Sequence, residues 1–113
     1  MYARAARLAE GLYAEVAGWR SFDRWTVGMQ LVRAADSIGA NIAEAYGRYS
    51  VKDQRRLLYV ARASACETEH WLDCATSRGL ALPADAIGDA KHLSRMLNGL
   101  ITAHRAQQLR TEN

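Results

Sequence analysis

The sequence is short of the residues that interrupt or cross-link a chain. One proline in 113 residues leaves almost every position open to helix. Cys66 and Cys74 are the two cysteines. They form no Cys-x-x-Cys pair of the kind that marks a metal or redox site, and about two helical turns separate them, too far for a bond to each other. Both read as reduced, small apolar residues, as suits a cytoplasmic protein. No apolar run approaches the roughly 20 residues of a membrane span, and the N-terminus lacks the apolar core of a signal peptide. Lysine is scarce: of 15 cationic residues only Lys52 and Lys91 are lysines and the rest are arginines, whose planar fork suits phosphate and carboxylate. No catalytic signature is present. The expectation is therefore a protein without enzyme chemistry.

What is present is ordinary for one globular domain spanning the whole chain: 50% hydrophobic and 24% charged residues, with a net charge of +3. A mild basic excess permits a nucleic-acid or acidic-protein partner without requiring one.

The spacing of apolar residues predicts four helices at residues 2–19, 24–48, 51–78 and 83–106. The first carries Ala5, Leu8, Ala9, Leu12, Val16 and Trp19 as one stripe. Ser21 or Asp23 is placed to cap the second. Its stripe reads Trp25, Met29, Val32, Ala35, Ile38 or Gly39, Ile42 and Tyr46. Gly28 and Gly39 inside it each cost roughly 1 kcal/mol against alanine, which a close helix contact would explain. The third helix opens with Ser50 and Asp53 as an approximate capping box and closes at Gly79. Its stripe is Leu57, Leu58, Ala61, Ser64, Ala65, Thr68, Trp71, Leu72 and Ala75. Pro83 suits the first turn of the fourth, whose stripe is Ile87, Ala90, Leu93, Leu97, Leu100, Ile101 and His104. Residues 107–113 read as a mobile polar tail. Four amphipathic helices joined by short turns give an all-α, antiparallel up-down-up-down four-helix bundle.

Among the polar residues, Arg33, Ser37, Asn41, Glu44 and Glu67 read either as an interhelix network that fixes register or as a patch that docks a ligand or partner. Glu44 and Arg48 are one turn apart and suited to pair. Arg48, Lys52, Arg55 and Arg56 make the densest basic patch, extended by Arg62 with Tyr49 and Tyr59 among them. It reads either as a solvated helix face or as a surface that tracks a phosphate backbone with an aromatic contact. Glu67 and His70, and again Asp89 and His92, have the Glu/Asp-x-x-His spacing of bundle metal sites. The helical phase turns His70 outward and His92 aside, and no inward carboxylates complete a cage, so no metal or other cofactor is expected. His104 reads as a packed residue, and Ser37 and Ser64 lack a His-Asp partner for hydrolase chemistry. Trp25 is the candidate anchor of a subunit contact.

Several stretches together resemble the four helix bundle protein family, also known as the 23S rRNA intervening-sequence (S23) protein family. They are Gln30 to Ile38, Asn41 to Glu44, Tyr46 to Arg48, Leu57-Leu58, Ala61 to Ser64 with Glu67 and Glu69, and Met96 to Ile101. The chain departs from the pattern at Gly39, Ala45, Ala63 and His70, which bears on local helix geometry. The resemblance implies a homopentamer of four-helix bundles arranged as a barrel around a channel. A related branch comprises the accessory variability determinants of diversity-generating retroelements, basic pentamers that bind a reverse transcriptase and its RNA. The resemblance supplies no catalytic residue. It implies a scaffold that binds RNA or DNA, or a reverse transcriptase, through basic faces. The alternative is a protein-interaction module with no nucleic-acid role.

Overall fold

A computed structural model describes residues 1–112. All of its regular structure is helical: α1 (Tyr2–Ala17), α2 (Ser21–Asp23), a π turn (Arg24–Gly28), α3 (Met29–Gly47), α4 (Val51–Ser77) and α5 (Ala86–Glu112). Because α2, the π turn and α3 follow one another without a break, the chain makes four rods. Each rod packs against the next, and α5 returns to α1, so the bundle closes. Among the described residues no helix is long and apolar enough to cross a membrane.

Each connection has a local cause. Trp19, itself buried, donates its indole N–H to the Ala81 carbonyl at 2.9 Å, which ties the end of α1 to the loop before α5. Extended backbone at Arg48 ends α3, and Gln54 reaches back to the Arg48 carbonyl at 2.9 Å. The Ser50 hydroxyl accepts the Asp53 N–H at 3.3 Å and starts α4. Gly79 at φ +71° closes α4, a left-handed conformation that costs glycine little.

The core holds the expected stripes of α1, α4 and α5 almost unchanged, with Leu12, Leu58, Leu72, Leu93 and Leu97 fully buried. Between α3 and α4 the interior includes hydroxyls. Ser37 and Ser64 approach to 2.8 Å through their Oγ atoms, and Asn41 donates to the Ser37 carbonyl and hydroxyl at 2.8 and 3.0 Å. Thr68, fully buried, donates to the Ser64 carbonyl at 2.8 Å. Polar groups at a packed seam need each other, so this cluster holds α3 and α4 in one register.

The second rod departs from expectation. It starts at Ser21, and neither Ser21 nor Asp23 caps it. The π turn inserts an extra residue per turn and shifts the helical phase. Thr26 stabilises that widened turn by donating to the Phe22 carbonyl at 2.8 Å. The buried stripe becomes Val27, Gly28, Leu31, Ala34, Ala35, Ile38, Gly39, Ile42 and Ala45. Trp25 and Met29, expected on it, are 64% and 37% exposed. Tyr46, also expected on it, is 65% exposed near the end of α3.

Two boundaries at the other end also move. Pro83 precedes the last helix, which begins at Ala86, with the Ala86 N–H bonded to the Pro83 carbonyl at 3.1 Å. The expected mobile tail is helical to Glu112, and Asn113 lies outside the described residues. At 27 residues each, α4 and α5 outrun α1 at 16, and the molecule is drawn out to 56 × 21 × 20 Å.

The two interior glycines of the second rod differ. A Cβ on Gly28 would lie 2.6 Å from Val16 Cγ1 and 3.1 Å from the Asp23 carbonyl oxygen, whereas one on Gly39 would meet Tyr2 and Ala5 at ordinary distances of 3.6 and 3.7 Å. Gly28→Ala is therefore expected to destabilise the fold by roughly 1–3 kcal/mol. Gly39→Ala is expected to stabilise it by up to about 1 kcal/mol. Urea unfolding of the two variants beside the parent tests the contrast. Ser64→Ala leaves Ser37 short of a partner and should cost about 1–2 kcal/mol. Adding Ser37→Ala should then cost less than it does alone, which a double-mutant cycle reads directly.

Candidate nucleic-acid interface

On α4 the basic residues fall at helical spacing. Lys52, Arg55, Tyr59 and Arg62 recur every three or four positions and so share one face, while Arg56 lies to its side. That face lies beside the antiparallel α5. Arg55 donates to Gln108 Oε1, and Arg62 donates to Asn98 Oδ1 at 3.0 Å. One helical turn or two further along, Ser94 donates to Glu69 Oε2 at 2.9 Å in the same register. The Arg62 guanidinium also lies over the Tyr59 ring, 4.9 Å from its centre. Arg55, Tyr59 and, from α5, Arg105, Gln108 and Leu109 line an open cleft of about 440 Å³.

The partners of these cations separate them into two groups. Arg48 bonds the Glu44 carboxylate at 2.5 Å, which holds its guanidinium still more firmly protonated, and Arg56 lies 3.9 Å from Asp53. Both are exposed surface pairs whose charge a neighbouring acid largely offsets. The partners of Arg55 and Arg62 are neutral amides, which orient a guanidinium and leave its charge in place. Lys52 is exposed beside them. Tyr49 is fully exposed in the loop before α4, and Tyr59 is half-buried against the core.

The expected polar network divides as well. Ser37 and Asn41 are brought together with Ser64, whereas Arg33, Glu44 and Glu67 are exposed and stand outside that cluster. Glu67 accepts from the Trp71 indole at 3.3 Å on the outer side of α4. There His70 packs edge-on to Trp71 and lies 3.7 Å from Cys74 Sγ. Among the described residues no group of three or more His, Cys, Asp or Glu is placed to hold a metal ion. His104 is half-buried beside a cavity of about 60 Å³, and among the described residues nothing hydrogen-bonds its buried Nδ1.

Sequence reasoning confined to one helix missed Arg105, Asn98 and Gln108. The signal that finds them is register: with α4 and α5 antiparallel, the residues facing Arg62 and Arg55 lie near positions 98 and 108, and Arg105 falls one turn before Gln108.

Comparison with known proteins agrees with this architecture. Residues 1–99 match the family model described as 23S rRNA-intervening sequence protein. Among solved structures, the chain is similar to a protein of unknown function from the S23 ribosomal protein family of Bacteroides thetaiotaomicron. The two are 26% identical, with a TM-score of 0.68 over 88% of this chain and 90% of that one. No curated protein matches. With the family model covering most of its length and a member of the same family sharing its fold, the chain belongs to the 23S rRNA-intervening sequence protein family.

Proposed function

We propose that the chain is a non-enzymatic helical scaffold whose α4–α5 face holds the phosphate backbone of a nucleic acid. Several copies, five in the ring that the family resemblance implies, would present that face repeatedly. The observation that carries the reading is the state of Arg55 and Arg62. Each is aimed by a neutral amide on α5 and keeps its full charge, and Arg105 adds a third guanidinium across the open cleft. Phosphate contacts of this kind supply affinity without reading sequence. Tyr59, half-buried with one face under Arg62, lends an aromatic edge, and the free-standing Tyr49 offers a ring for a base to stack on. A reverse transcriptase working on the bound strand is the protein partner that fits this reading.

Binding is tested by fluorescence anisotropy with a short single-stranded RNA and a structured hairpin, each at several salt concentrations. Affinity is expected to fall linearly with the logarithm of salt concentration. Arg55→Gln and Arg62→Gln should each weaken binding several-fold on all sequences and reduce the salt slope by about 1. Arg56→Gln, whose charge Asp53 already offsets, should change it least. Binding no tighter than that of a charge-matched helical protein would leave the scaffold as a protein-interaction module.

A further inference from the structure

The groove between α1 and the second rod changes character along its length. Beside the π turn it holds a shallow apolar depression of about 260 Å³, lined by Tyr13, Trp25, Met29 and Val32 with Arg24 and Arg33 at its rim. The rings of Tyr13 and Trp25 come from different rods and are 62% and 64% exposed. Farther along, the same groove is lined by alanines with Glu10 and Asp36. Partial burial and then the Glu10 charge raise the pKa of Asp36, so the two carboxylates feel each other there.

Two aromatic rings with a methionine thioether beside them suit a planar aromatic group. A guanidinium fork suits a phosphate, which it takes bidentately. Arg24 is steadied by its Nη1, which donates to the Ala17 carbonyl at 3.4 Å, and no ion pair of the described residues includes Arg24 or Arg33. A ligand that joins a flat ring to a phosphate is a nucleotide.

The change of sign along the groove limits the length of that ligand. A strand or an acidic helix laid along it would run from the arginines onto Glu10 and Asp36, where like charges oppose it. A protein partner needs roughly 800 Å² on its own side and would have to extend over the acidic stretch as well. A single nucleotide stays at the basic end. The local backbone is also shaped for the depression. The π turn carries Trp25 outward, and Gly28 admits Val16 where a Cβ would lie 2.6 Å from it. Such turns recur at functional positions.

We propose that this depression binds a free mononucleotide, its base held by Tyr13 and Trp25 against Met29 and its phosphate by Arg24 and Arg33. The site shares no residue with the α4–α5 cleft and does not rest on strand binding there.

The test is calorimetric titration of the chain with adenosine 5′-monophosphate, and separately with adenosine and with ribose 5-phosphate. The nucleotide is expected to bind once per chain with a Kd below about 1 mM, and each half-ligand about tenfold more weakly or worse. Trp25→Ala should weaken nucleotide binding about fivefold or more, as loss of a base–aromatic stack does, with helicity by circular dichroism unchanged. Arg24→Gln should weaken the nucleotide and leave adenosine as it was. Arg55→Gln, in the other cleft, should change neither. A nucleotide that does not bind at millimolar concentration overturns the proposal, as does adenosine binding as tightly as the nucleotide. A short single-stranded RNA that displaces the nucleotide at lower concentration, from a chain carrying Arg55→Gln and Arg62→Gln, overturns the assignment to a free nucleotide. A Trp25→Ala chain that keeps its nucleotide affinity but falls in light-scattering mass would make this face a contact between copies, and overturns the proposal too.

Discussion

The seam between α3 and α4 is the constraint on which the other positions depend. Ser37 of α3 meets Ser64 of α4 there, and within a turn of them lie the small buried residues Ala34, Ala61 and Ala65. Small side chains let two long rods approach closely, but a seam of alanines alone would slide, because one turn of alanine resembles the next. The Ser37–Ser64 contact with Asn41 removes that freedom. A shift by one turn would leave buried hydroxyls without partners, at about 1–3 kcal/mol for each group. Once α4 is held in register, α5 has one antiparallel position that pairs Arg55 with Gln108 and Arg62 with Asn98. The basic cleft is thus set by an uncharged contact on the far side of α4.

The four rods were legible because amphipathic periodicity records burial, and burial drives this fold. The stripes of α1, α4 and α5 could be read residue by residue. The second rod could not, and its errors have one source. A strict helical count from Trp25 to Met29 assumes 3.6 residues per turn, while the π turn between Arg24 and Gly28 takes in an extra residue. Nothing in the local composition marks that turn except the crowded Gly28, and its nearest neighbour, Val16, lies on another segment. The tail after position 106 was misread for a comparable reason. Its residues are polar apart from Leu109, yet Gln108 finds a partner on α4, a contact that lies outside any single-helix window.

The candidate site was legible in part. Density of basic residues singles out one stretch of α4, but density says nothing about compensation. Arg48 and Arg56 contribute to the count and are offset by Glu44 and Asp53, each within one helical turn. Arg55 and Arg62 are oriented by amides that belong to α5 and become neighbours only through the tertiary register. Charge on a folded surface is a property of pairs, so half of this site existed only once the bundle had formed.

The two sides of the molecule follow from the same economy of core. A chain of 113 residues has much surface for its interior, and α1 is too short to cover the whole length of its partners. Apolar area left over on the α1–α3 side would be a liability on an isolated subunit. The opposite side is lined by polar contacts between α4 and α5 and exposes few large apolar groups beyond Val60 and Leu109. On the opposite side, were several copies joined, weak phosphate contacts would add in proportion to their number. Repetition raises the avidity of such contacts without any new chemistry in the subunit.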